Sequence, residues 1–117
     1  MKRQFEDGAS VSAETELDIP HLTRQTLGDR ALRDEVLRLF DHQAVITLAL
    51  IKAATDPNVR REAAHALVGA ARGVGAFPLA RAAGVIEANP VDSAAGITAL
   101  EEAIERARWA IDRSLSD

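Results

Sequence analysis

The sequence predicts an all-α fold, an antiparallel up-down four-helix bundle with a short additional helix at its N-terminal side. Apolar residues recur at intervals of three and four, and no segment shows sustained period-two alternation. The composition is 47% hydrophobic but only 3% aromatic, which indicates a core of Ala, Leu, Ile and Val between closely packed helices. Short connections between long helices favour antiparallel neighbours.

The N-terminal region divides into a tail and a first short helix. Residues 1–17 are polar and contain Gly and Ser, so we expect a flexible tail, followed by the bundle domain over residues 18–115. Asp18 is a favourable N-cap, and Pro20 fits the first turn of the helix that it would begin. Gly28 marks the end of this helix.

Two longer helices follow. Asp29 caps a helix that we expect to run to about Ala54. Its apolar residues are Leu32, Val36, Leu39, Phe40, Val45 or Ile46, Leu50 and Ile51. Asp56-Pro57 is a strong start signal, with Asp at the N-cap and Pro at the first helical position. The helix that it begins should stop between Gly73 and Gly75.

The last two helices are delimited by similar signals. Phe77-Pro78 begins a helix that should run to about Ala88, where Asn89-Pro90 breaks it. Asp92 or Ser93 is the expected cap of the final helix, which should reach about Arg113.

Composition and charge exclude several classes of protein. A chain of 117 residues fits one small domain, and the absence of cysteine excludes disulfides and thiolate metal sites. The net charge of −4 argues against nucleic acid as the main partner. No apolar run approaches the roughly 20 residues that span a bilayer, and the N-terminus lacks the apolar stretch of a secretory signal. We therefore expect a cytoplasmic protein that does not bind membranes.

The helix that follows Pro57 carries a histidine, His65, on the side predicted to face water. With about 100° per residue, an apolar stripe lies near the opposite pole of the helix. Its members are Ala63, Leu67, Ala70 and Val74. Four residues fall within about 60° of the histidine and share its face: Arg61, Val68, Gly69 and Arg72. Gly69 has no side chain to lean over the imidazole, and Arg72 could pair with phosphate oxygens.

The segment from His65 to Ala76, HALVGAARGVGA, resembles the signature of histidine-containing phosphotransfer (HPt) domains. That signature runs His, any, Leu, Lys, Gly, any, Ala, three of any kind, Gly. The chain matches it at His65, Leu67, Gly69, Ala71 and Gly75. Leu79, Ala80 and Glu87 also fit the helix that follows in that family. The resemblance extends more loosely from about Leu17 to Ile111. Val68 replaces the usual lysine, and Arg72 on the same face could substitute for it.

The resemblance implies a phosphoryl carrier more than a self-sufficient enzyme. His65 would accept a phosphoryl group from a kinase or from the aspartate of a receiver domain, then pass it to another receiver. Arg61, Val68, Gly69 and Arg72 would form the phosphoryl environment and the docking face. The chain would need no cofactor of its own, since the receiver supplies Mg²⁺. The implied partners are response-regulator receivers and a sensor histidine kinase, free or hybrid, with the chain as a monomer.

Two other interpretations remain open. A binding module with the same fold could dock receivers or kinases without carrying phosphate, as the missing lysine would allow. Glu62 and His65 also form a Glu-x-x-His pair, the spacing used in di-iron bundles. Those sites need two such pairs and two further carboxylates, and the chain has one pair.

Overall fold

A computed structural model describes residues 13–116, and this part of the chain folds into six helices joined by short connections, with no strand. The helices are α1 (Ala13–Glu16), α2 (Ile19–Gln25), α3 (Arg30–Ala53), α4 (Pro57–Val74), α5 (Phe77–Ala88) and α6 (Ala94–Ser116). None of the helices within these residues has both the length and the apolar character needed to cross a membrane.

The aspartate caps of α2, α3 and α4 act as predicted, whereas α2 ends at Gln25, before Gly28, and Oγ of Ser93 binds Pro90 and Arg60 and caps no N–H of α6. The side chain of Asp18 accepts a hydrogen bond from the backbone N–H of His21 at the start of α2. Asp29 and Asp56 cap α3 and α4 in the same way. Gly75 ends α4 in the left-handed conformation, with a φ of 81°. These caps satisfy backbone donors that have no partner inside the helix, which is why the boundaries could be predicted from local sequence.

The four long helices pack as a closed ring of neighbours. α3 packs against α4 and α6, and α5 packs against the same two helices. The contact between α4 and α5 is the most extensive. α2 lies against α3 and α4, while α1 lies against α5 and α6. The buried hydrophobic residues are Leu, Ile, Val and Ala with one aromatic, Phe40, which confirms the predicted core composition.

The packed domain begins earlier than the predicted boundary at residue 18. Ala13–Glu16 is helical, and Leu17 is fully buried. The carboxylate of Glu16 lies 3.5 Å from Nε of Arg106. Burial of a leucine contributes about 1.5–3 kcal/mol, which helps to hold a helix too short to show a periodic pattern. The remainder of the predicted tail, residues 1–12, lies outside the described residues.

The face that α3 turns to the core differs from the prediction. Phe40 and Ile51 are buried as expected and Val36 is partly buried, but the other buried positions are Leu37 and Ala44. Five residues assigned to the apolar face are 40–59% exposed: Leu32, Leu39, Val45, Ile46 and Leu50. This helix is apolar on two sides, so its periodicity alone does not determine which side packs inward.

One guanidinium joins three segments at the end of the bundle where α4 begins. Arg60 donates from Nε to the carbonyl of Ile51 at 3.0 Å and from Nη2 to the carbonyl of Ala54. Its Nη1 donates to the carbonyl of Pro90 at 3.0 Å and to Oγ of Ser93 at 3.2 Å. The start of α4 is thereby fastened to the end of α3 and to the loop before α6.

Substitution of two neighbouring glycines should move stability in opposite directions. A Cβ at Gly75 would lie 2.9 Å from the backbone oxygen of Asp18, and the positive φ is unfavourable for alanine. We expect Gly75→Ala to lower the free energy of unfolding by about 1–3 kcal/mol. Gly73 lies within α4, and a Cβ there would meet no atom within 4 Å. Gly73→Ala should therefore raise the free energy of unfolding by up to about 1 kcal/mol. Urea unfolding followed by circular dichroism measures both, and a shift of the same sign in the two variants would contradict this account.

Candidate functional site

His65 projects from the middle of α4 into solvent. Its side chain is 75% exposed, which confirms the predicted orientation. The residues that α4 buries are Ala64, Leu67, Val68, Ala71 and Val74. The histidine therefore lies beside the packed face of its helix, where a rigid backbone holds it and a partner can reach it.

A carboxylate from the next helix holds the imidazole. Nδ1 of His65 lies 2.6 Å from Oε2 of Glu87, close to the end of α5. An ionised carboxylate can only accept hydrogen bonds, so Nδ1 is the ring nitrogen that carries the proton. In the neutral form of this ring Nε2 is the unprotonated nitrogen, and it has no hydrogen-bond partner within residues 13–116. The arrangement turns a nucleophilic lone pair toward solvent.

The packing of α4 against α5 brings this pair together. Glu87 follows His65 by 22 residues, and its side chain is 32% exposed. The sequence identifies Glu87 only as a residue that fits the helix following the HPt-like segment. It does not indicate that Glu87 pairs with the imidazole of His65. The pairing depends on how two helices lie side by side, which no local signal encodes.

The surface beyond His65 along α4 is open. Gly69 and Gly73 are both exposed, one and two turns further along the helix. A Cβ built at either position would meet no atom within 4 Å. A partner can therefore approach the imidazole over bare backbone, as predicted for Gly69.

The expectation that Val68 shares the exposed face is wrong. Its side chain is 7% exposed and belongs to the hydrophobic core. Val68 follows Ala64 by four residues and precedes Ala71 by three, and both alanines are fully buried. Residues at these spacings lie in one row on a helix, so Val68 belongs to the row that packs inward. Ala70, assigned to the apolar stripe, is exposed instead, because the buried arc is rotated toward Val68.

The two arginines near the motif lie on the exposed surface, but neither contacts the imidazole. Arg61 donates a hydrogen bond to the side chain of Asn58. Arg72 makes no hydrogen bond or ion pair with the described part of the chain. It follows His65 by two turns, about 10 Å along the helix axis. Its guanidinium is free to meet an approaching partner.

An apolar surface on α3 lies on the α4 side of the molecule. We call Leu32, Leu39, Ile46 and Leu50 the α3 stripe, since they share one side of the helix and are 40–59% exposed. Asp41 and Lys52 each follow a stripe member by two residues and so project from nearly the opposite side. Both pair with residues of α6, Arg108 and Glu101. The stripe therefore faces away from α6.

No group of three or more His, Asp or Glu side chains that could hold a metal ion occurs among residues 13–116.

Comparison of the chain with protein-family models, with curated proteins and with solved structures finds no match.

The tautomer of His65 provides a direct test of the contact with Glu87. At alkaline pH, where imidazoles are neutral, we expect His65 to carry its proton on Nδ1, as long-range ¹H–¹⁵N spectra report. Glu87→Ala should return His65 to the Nε2–H form that free imidazoles favour. Glu62→Gln, which removes a carboxylate from the same helix as His65, should not change the tautomer. His42, exposed on α3, serves as an internal reference. The same tautomer in wild type and Glu87→Ala would contradict the contact.

Proposed function

We propose that this protein carries a phosphoryl group on His65 in a phosphorelay. The observation that carries the proposal is the exposed imidazole whose Nδ1 is bound by Glu87, which leaves Nε2 as the free nucleophile. The match to the HPt signature at His65, Leu67, Gly69, Ala71 and Gly75 supports it independently. Neither a pocket nor a general base is needed beside the ring, since a partner presents the reacting phosphorus.

The proposed chemistry is a nucleophilic displacement at phosphorus. The Nε2 lone pair attacks the acyl phosphate of a receiver aspartate in line, and a P–N bond forms as the bond to the carboxylate oxygen breaks. The aspartate leaves with the electron pair, and the receiver supplies Mg²⁺. Nδ1 keeps its proton, so the phosphorylated ring is cationic, and Glu87 lies where it can neutralise that charge. Transfer to another receiver is the reverse of this step.

The docking face that we propose combines α4 with the α3 stripe. Exposed leucine and isoleucine side chains flank a helix surface of glycine and alanine, so a receiver can bury apolar area while its aspartate approaches His65. Arg61 and Arg72 lie on the same surface and would meet phosphate oxygens or carboxylates of the receiver. A sensor histidine kinase, free or hybrid, is the proposed upstream source, in the cytoplasm, with the chain acting as a monomer.

We further infer that α3 to α6 form an antiparallel up-down bundle. The connections span residues 54–56, 75–76 and 89–93, which are too short to return a helix to its starting end. The ring of neighbouring contacts fits this order, and it would place α4 and α6 at opposite corners.

A binding module that docks receivers or kinases without carrying phosphate is the second candidate. The observation that favours it is Val68, which provides no cation where the HPt signature has lysine and which is buried. The two candidates share the docking face and differ in whether His65 takes up phosphate.

Replacement of the acceptor should separate these functions. Wild type incubated with a ³²P-labelled phospho-receiver should acquire acid-labile, base-stable label, and His65→Gln should acquire none. The variant should keep its stability within about 0.5 kcal/mol, since the position is exposed and glutamine is a good helix former. His42→Gln is the matched control and should label normally. Label that persists in His65→Gln would disprove the assignment, and receiver binding without any label in wild type would favour the binding module.

Access to the imidazole can be tested at the neighbouring glycine. The side chain in Gly69→Leu would lean toward the helix N-terminus, over His65, while its Cβ meets no other atom within 4 Å. We expect phosphotransfer to slow by roughly 10- to 100-fold, with no loss of thermal stability. Gly73→Leu is equally open but lies a turn further along the helix, and it should affect transfer much less. Wild-type transfer rates in Gly69→Leu would show that the open surface is not required.

A further inference from the structure

A second exposed surface lies between α3 and α6. It is an open groove of about 370 Å³ whose apolar lining consists of Trp109, Ile111 and Leu115. The carboxylates of Asp41, Glu105 and Asp112 and the guanidinium of Arg108 also line it. We call this surface the Trp109 groove. None of these residues belongs to the HPt signature or contacts the imidazole.

The indole at the centre of the groove is exposed to an extent unusual for a tryptophan. Trp109 is 40% exposed, although it is the one tryptophan in the chain and its most extensive apolar side chain. The guanidinium of Arg113 lies 5.2 Å from the ring centroid, which helps to fix the ring. A held aromatic ring that remains accessible is typical of a binding surface, since it offers contact area at little cost in side-chain entropy.

The charges around the ring are unequal. Arg108 donates from Nε to Asp41 at 2.8 Å, and this hydrogen bond and the charge of Asp41 raise the pKa of the guanidinium. That pair is internally neutralised. Glu105 and Asp112 lie one turn before and one turn after Trp109, on the same side of α6, and neither has an ion-pair partner within residues 13–116. With Arg113 over the ring, the groove holds three carboxylates (Asp41, Glu105 and Asp112) and two guanidinium groups (Arg108 and Arg113), so one negative charge remains in excess beside the indole.

The groove and His65 belong to helices that do not pack extensively on each other. Within the described residues, α6 packs against α1, α3 and α5, whereas α4 packs against α2, α3 and α5. A molecule bound at the groove would therefore leave the imidazole accessible.

We propose that the Trp109 groove is a docking site for a basic, amphipathic segment of a second protein. Arginine or lysine side chains of that segment pair with Glu105 and Asp112, and its apolar side chains cover Trp109 and the partly exposed Leu115. Charge complementarity selects this occupant. A second copy of the chain related by a two-fold axis would bring the same acidic surface against itself, which like-charge repulsion disfavours. The proposal does not depend on the function of His65.

The fluorescence of Trp109 reports directly on this surface, because the chain has no other tryptophan. The probe is a synthetic helical peptide of about 14 residues with arginine and leucine on one face, and its control has glutamate in place of each arginine. We expect the arginine peptide to shift the Trp109 emission in a saturable manner, with weaker binding at higher salt. The glutamate peptide should produce no shift.

Two charge-matched double variants then separate the groove from the net charge of the protein. Glu105→Gln with Asp112→Asn should weaken binding of the arginine peptide by about five- to tenfold. Glu35→Gln with Asp92→Asn removes the same two charges from exposed positions outside the groove and should leave binding within about twofold of wild type. Equal weakening in both double variants would overturn the proposal, as would an unchanged emission spectrum with the arginine peptide.

Two further results would assign the groove to another occupant and so also overturn the proposal. Sedimentation velocity would reveal self-association, and its loss in Trp109→Ala would point to a second copy of the chain. An emission shift in Lys2→Ser with Arg3→Ser, measured without peptide, would point to the chain's own N-terminal residues. A monomer whose emission is unaffected by the N-terminal substitutions is the expected result.

Discussion

The two-residue connection at Gly75 and Ala76 sets the register on which the candidate site depends. His65 precedes Gly75 by ten residues and Glu87 follows it by twelve, so both lie about 15–18 Å from the turn along adjacent helices. Similar distances from a tight turn place the imidazole and the carboxylate nearly level with one another. The backbone N–H of Asp18 donates to the carbonyl of Gly75 at 2.9 Å, which fastens the turn to the segment between α1 and α2. A longer or looser connection would let α5 slide, and Glu87 would no longer meet the ring.

Local signals predicted the helices because the physical causes of helix ends are themselves local. Asp18, Asp29 and Asp56 each bind a backbone N–H two or three residues ahead, and proline follows two of them. The exposed position of His65 was likewise predictable from periodicity. Residues at the boundary between the buried and the exposed side of a helix are harder to predict, because their burial depends on where the neighbouring helices lie. Val68 is about 60° from His65 around the helix, close enough to the boundary that the packing against adjacent helices decides its burial.

Packing between helices also decides two features of α3 and α5 that the sequence leaves undetermined. α3 has apolar residues on two sides, and only its packing against the neighbouring helices, together with the ion pairs of Asp41 and Lys52 with α6, determines which side turns outward. Nothing in the sequence distinguishes Glu87 from the other acidic residues, and only the packing of α5 against α4 brings it to the imidazole. In each case the missing information is the contact between elements, and it becomes available only when the helices are assembled.

The hydrogen bonds of Arg60 link the helix ends at one end of the bundle, so these ends should unfold together. Its guanidinium binds backbone carbonyls at the end of α3 and in the loop before α6, while its own backbone belongs to the first turn of α4. None of these three ends can separate from the others without leaving carbonyl groups or the guanidinium without a partner, which costs free energy in a partly buried location. The end of the bundle distant from Gly75 should therefore behave as one cooperative unit in hydrogen exchange, with the amides of all three segments becoming accessible together.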